Sequence, residues 1–167
     1  MPEQTLIELV YGKSAHANPI ACVEDLSADL AGRTIAGFPH SIWQLLNHMN
    51  YWMHYEIQRI ASQPPPYPEH AAGSWLPDSA LAGESEWSAA VARLRDLLGS
   101  LAEMARSTPQ ELSREVPAAH ALQAQYSSSV RAILWQTAAH NSYHVGQIAM
   151  LRQCLGAWPP RGGGDTW

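Results

Sequence analysis

Charge is scarce in this chain, and what there is leans acidic. Only 15% of its 167 residues are charged, the formal net charge is −5, and no cluster of Lys and Arg occurs anywhere. Phosphate backbones demand a basic footprint, so nucleic acid is excluded as an expected partner. Cysteine is almost missing. Cys22 and Cys154 stand far apart and form no CxxC pair, which argues against a disulfide framework and for two reduced, packed thiols. No apolar run approaches membrane-spanning length, and the opening MPEQTLIELVYGKSAH lacks the basic stretch and apolar core of an export signal. The expectation is a soluble, cytoplasmic protein that engages no membrane. The strict alternation of half-buried strands is missing too, as are internal repeats and any low-complexity tract besides the tail PPRGGGDTW.

What is present is apolar and helical in period. Hydrophobic residues make up 46% of the chain, enough for one domain of this length to bury a core without staples. A first segment starts near Pro2 with Leu6, Ile7 and Val10 on one face, and resumes as PIACVEDLSADL after a kink or break that Pro19 imposes. A second opens on the S-x-x-Q capping box of Ser41 and Gln44, carries Ile42, Leu45, Leu46, Met49, Met53, Ile57 and Ile60 at helical spacing, and stops by Gln63, before three prolines. A third aligns Trp87, Val91, Leu94, Leu98, Leu101 and Ala105. The fourth runs from about Ser128 to Leu155 and ends at Gly156, with Pro159 just beyond.

Four such segments and no strand predict an all-α four-helix bundle spanning residues 1–167 as one domain, with a non-helical tail from about residue 156. The tail's Trp167 reads as a loose end or an anchor in a partner surface. Two long connections, 63–83 and 107–127, are long enough to run past a neighbouring helix, so an up-down-down-up order is allowed. In the second of them TPQE, from Thr108, reads as a capped helical turn.

The last segment poses a chemical problem. Ile133, Thr137, His140, His144, Gln147, Ile148 and Leu151 share one face, apolar at both ends and polar in the middle. Burying imidazoles there without partners costs a few kcal/mol per group, so hydrogen bonds, water or a metal must meet them. Imidazoles four residues apart can converge on one divalent ion, and His48, mid-helix in the second segment, is the best third donor. His54 lies on another face. His16, His40, His70 and His120 fall in loops or helix ends; these five read as surface or capping residues. Spacing alone leaves open a metal triad or a hydrogen-bonded pair of core histidines.

HSIWQLLNHMNYW in the second helix, combined with HNSYHVGQIAMLRQ in the last, resembles the DinB/YfiT-like superfamily of metal-binding four-helix bundles over essentially the whole chain. The resemblance implies His48, His140 and His144 as the metal ligands, an up-down-down-up order and a homodimer. Three neutral histidines leave a coordination position open, and zinc or nickel suits imidazole donors. Related families include S-transferases and isomerases that use low-molecular-weight thiols, so the resemblance implies a metal-dependent thiol S-transferase acting on a small-molecule thiol and an electrophilic substrate. A metal-dependent hydrolase is the competing enzyme, although Asn141 stands where an HExxH helix carries its glutamate base. A non-catalytic, metal-binding stress-response protein is the third reading. No catalytic residue is assigned. Tyr51, Trp52, Tyr55 and Tyr143 are candidates for walls or hydroxyls beside the site, Gln147 for orienting a ligand, and Glu24, Asp25, Asp29, Glu56 and Glu103 for bonding the outer imidazole nitrogens.

Overall fold

A computed structural model describes residues 2–13, 15–77, 83–119 and 128–164. Trp167 and His120 lie outside the described residues. Helix α1 spans Pro2–Val10, α2 Ala21–Glu24, α3 Ala28–Gly32, α4 Ile42–Ile60, α5 Glu84–Ala105, α6 Pro109–Leu112 and α7 Val130–Cys154. Helix α4 packs against α5 and α7, while α1 packs against both α5 and α7. The seam between them holds Leu6 and Val10 of α1, Leu46, Met49 and Met53 of α4, Leu94 and Leu98 of α5, and Ile133, Ile148 and Leu151 of α7, all at most 3% exposed. Such stripes arise because residues three and four apart share a helix face. Among the described residues no helix is long and apolar enough to cross a membrane.

Local signals explain most element boundaries. The Ser41 hydroxyl accepts from Gln44 N at 3.3 Å and the Gln44 amide oxygen accepts from Ser41 N at 3.0 Å, closing the capping box at the start of α4. Gln44 also donates through Nε2 to Leu76 O at 3.0 Å. It thereby ties the 63–77 connection to α4, and that connection proves part of the site. Thr108 caps α6 with Pro109 at its first position, as TPQE predicts. Gly156, at φ 70°, takes the left-handed position that ends α7, and Ala157 N donates back to Arg152 O at 2.8 Å.

Three expectations are corrected. PIACVEDLSADL is not one helix: Ser27 intervenes, its hydroxyl accepting from Leu30 N at 3.3 Å as the cap of a new turn, so α2 and α3 are separate. The helices are not wholly without strands. Glu115–Val116 and Ser128–Ser129, β1 and β2, pair antiparallel; two residues a side are too short to leave an alternation in the sequence. Because β2 takes Ser128 and Ser129, α7 begins at Val130, with Ser129 as its cap.

Candidate metal centre

The three histidines singled out by sequence meet. His48 projects from α4, and His140 and His144 from adjacent turns of α7; each offers one nitrogen such that all three lie within 4.8 Å of one another. His140 Nε2 stands 3.3 Å from His48 Nε2 and 3.1 Å from His144 Nε2. His48 and His144 are buried and His140 half-buried. Desolvation, and then the neighbouring imidazoles, depress His48 and His140 to about 4, and desolvation also lowers His144. At neutral pH all three rings are uncharged donors.

The outer nitrogens decide which way two of those rings face. His48 Nδ1 lies 3.2 Å from Ser74 O, a carbonyl that can only accept, so the proton sits on Nδ1 and the Nε2 lone pair points inward. The Ser74 hydroxyl donates to Ala71 O at 2.8 Å and lies 3.2 Å from the same imidazole nitrogen. His144 Nδ1 is 2.7 Å from Gln147 Oε1, and the other end of that amide donates to the Tyr143 hydroxyl at 3.3 Å. The His144 Nε2 lone pair therefore points inward as well. A proton on His140 Nε2 could serve only one of these two acceptors, whereas a cation serves all three donors. Two nitrogens bound at about 2.0 to 2.1 Å to one tetrahedral ion lie roughly 3.3 Å apart, and the two separations from His140 Nε2 match. The residues fit a divalent metal.

The surroundings differ from expectation in instructive ways. No carboxylate bonds these imidazoles among the described residues. Glu24 pairs with Arg95, Asp25 with Arg152, Asp29 with Arg33, Glu56 with Arg59 and Glu103 with Arg106. A backbone carbonyl holds the outer nitrogen of His48 and a glutamine that of His144 instead. Asn141, 2% exposed, faces the core and supplies no base. Of the three α4 aromatics expected beside the site, Trp52 walls the space next to it, Tyr55 is buried, and Tyr51 lines a separate cleft with Trp75. Cys22 is buried, which pushes its thiol up to about 11, but Cys154 is exposed at the end of α7, not packed.

The roles of three residues, Ser74, Trp75 and His40, escaped the sequence reading. Trp75 stacks on His48 at 3.7 Å between ring centroids and 10° between planes, and equally on His40 at 3.7 Å and 9°. Two rings cannot both lie so close to one indole on the same side, so Trp75 is clamped between the histidines. His40 is thus a buttress of the site and not a surface residue. His16 is buried too, its Nδ1 2.9 Å from Ala17 O. His54 is half-buried and His70 exposed. Nothing in the pattern of the 63–83 connection marks Ser74 or Trp75, since irregular segments carry no period to read.

A model of the DinB superfamily matches residues 14–148. The chain belongs to the DinB superfamily. The DinB match takes in all of α4 and the first part of α7, and with them His48, His140 and His144. No curated protein and no solved structure matches the chain.

Proposed function

We propose that His48, His140 and His144 bind a divalent ion, zinc or nickel, and that the loaded protein is a thiol S-transferase joining a low-molecular-weight thiol to an electrophile. The observation that carries this reading is the inward aim of the Nε2 lone pairs on His48 and His144, fixed by Ser74 O and Gln147. Three imidazoles leave a position for an exogenous ligand. Bound there, the ion would lower the pKa of a thiol until thiolate dominates near neutral pH.

The chain's own residues supply the rest. Ser74 and Gln147 hold the ring protons at Nδ1, and Trp75 and His40 keep the His48 ring from turning. Trp52 walls the approach. Metal-dependent hydrolysis is a second reading, favoured by Glu56, a half-buried carboxylate whose pKa burial raises and which lines a cleft with His140; such a group suits proton transfer. Ester hydrolysis without added thiol separates the two. The up-down-down-up order and a homodimer belong to the same proposal. Trp135, Tyr143 and Met150 lie exposed along α7, none of whose exposed residues is charged.

The deciding experiment is elemental analysis of protein purified without a His tag or added metal. Near-stoichiometric metal is expected, falling below about a tenth in His48→Ala and in His140→Ala while circular dichroism stays helical. Wild-type protein that holds no metal after zinc or nickel supplementation overturns the reading.

A further inference from the structure

Two clefts adjoin the triad, and Trp52 lines both. The first, about 170 Å³, is lined by Trp52, Glu56, Gln136, Thr137 and His140. The second, about 310 Å³, is the larger; His48, Ser74, Trp52, Tyr67, Trp75 and Glu69 are among its walls. Its aromatic side is preorganised. Trp52 and Tyr67 stand 5.6 Å apart between centroids, Tyr67 rests edge-on against Tyr55 at 5.7 Å, and Trp75 is held by its two histidines.

The charge of these walls is as informative as their shape. Each cleft contains a carboxylate, and neither is lined by a Lys or Arg. The segments 78–82 and 120–127, outside the described residues, contain no Lys or Arg in their sequence either. Arg59 is buried and committed to Glu56 at 3.0 Å and to Pro117 O at 3.3 Å. A ligand whose thiol occupies the triad's ion and whose far end carries a carboxylate would lose that group's hydration against aromatic walls, face Glu69, and find no Lys or Arg to pair with. Burying an unpaired anion is costly.

We propose that the cleft between Trp52, Tyr67 and Trp75 is the seat of an uncharged aromatic ring, carried by a ligand whose reactive atom reaches the triad past His48. The inference rests on the metal reading above and narrows it to ring-bearing thiols or electrophiles without an acidic group. The space accommodates one ring with a short arm. Offset or edge-on contact with Trp52 and Tyr67 supplies the affinity, and exclusion of a ring that bears a carboxylate follows from Glu69 and the lack of Lys or Arg in the walls.

The test uses the full chain loaded with cobalt(II), titrated with benzyl mercaptan and with 4-(mercaptomethyl)benzoate while thiolate-to-cobalt absorption is followed. The two probes share a ring and differ by one carboxylate. Benzyl mercaptan is expected to bind about tenfold or more tighter. Trp52→Ala should weaken benzyl mercaptan about tenfold at unchanged cobalt content, and Glu69→Lys should restore binding of the benzoate. Equal or tighter binding of the benzoate to the wild-type protein overturns the proposal.

The metal reading fails separately, if cobalt does not load at all. The cleft is then read on the metal-free chain by saturation-transfer NMR with benzyl alcohol against 4-(hydroxymethyl)benzoate. Signal from the alcohol alone upholds the ring site, and equal signals or none reject it.

Discussion

His144 illustrates how one neighbour sets the chemistry of a donor. Its Nδ1 proton is held by Gln147 at 2.7 Å, which leaves Nε2 free to bind. In Gln147→Leu that restraint is gone and the ring can adopt the other tautomer, so metal affinity is expected to fall about 10- to 100-fold with helicity intact, as competition with a chelator would measure. Acid acts on the same rings. His48 and His140 titrate near 6.5 in an unfolded chain and near 4 here, so between those values the unfolded chain holds more protons. The metal-free protein should therefore keep its full stability above pH 6.5, lose it progressively as the pH falls toward 4, and lose no more from these groups below that. Thermal melts across this window check it, and His140→Gln should flatten the decline. The His140–His144 pair was legible because HxxxH on an apolar face is costly without a partner, whereas His48 as the third member rested on its place mid-helix and on the family resemblance. The roles of Ser74, Trp75 and His40 were not, because a carbonyl carries no side-chain signature and stacking joins residues distant in the chain.

Among the elements, those with their own punctuation were readable. The Ser41–Gln44 box opened α4 where expected, and Gly156 closed α7. What the sequence hid was set by distant partners. Arg152 is 1% exposed; its guanidinium bonds Asp25 at 2.7 and 3.3 Å, Cys22 O at 2.8 Å and Ala157 O at 2.7 Å. Asp25 also accepts from Arg161 N at 2.8 Å, so one ion pair fastens α2, the last turn of α7 and the tail. This pairing helps explain why the PIACVEDLSADL segment breaks around Asp25: the carboxylate is engaged elsewhere, and Ser27 restarts the helix. Arg152→Met strands a largely buried carboxylate, and we expect a loss of about 3 to 5 kcal/mol in urea unfolding.

At the level of the whole molecule, helix α7 is unusual in having core on one side and an uncharged outer surface on the other. Trp135, Tyr143 and Met150 are 41%, 65% and 55% exposed. A second copy of the chain is the proposed cover. Light scattering at micromolar concentration should give twice the 18.4 kDa chain mass, and Trp135→Glu with Met150→Glu should return the monomer while the metal content holds. A monomeric wild type removes the dimer from the proposal. Apolar periodicity made the mostly helical class legible, but it is silent on which outward residues stay wet, since surface and interface obey the same spacing.

The triad also spans the chain in an uneven way. Two donors sit one turn apart on α7, whereas the third is 92 residues before His140. A nascent or loosened chain can offer only the adjacent pair, a weak bidentate hold, and full coordination waits until α4 has docked. On the proposed metal reading, tight retention of the ion would report that α4 and α7 have found each other, and a misassembled molecule would surrender its cargo to any competing chelator.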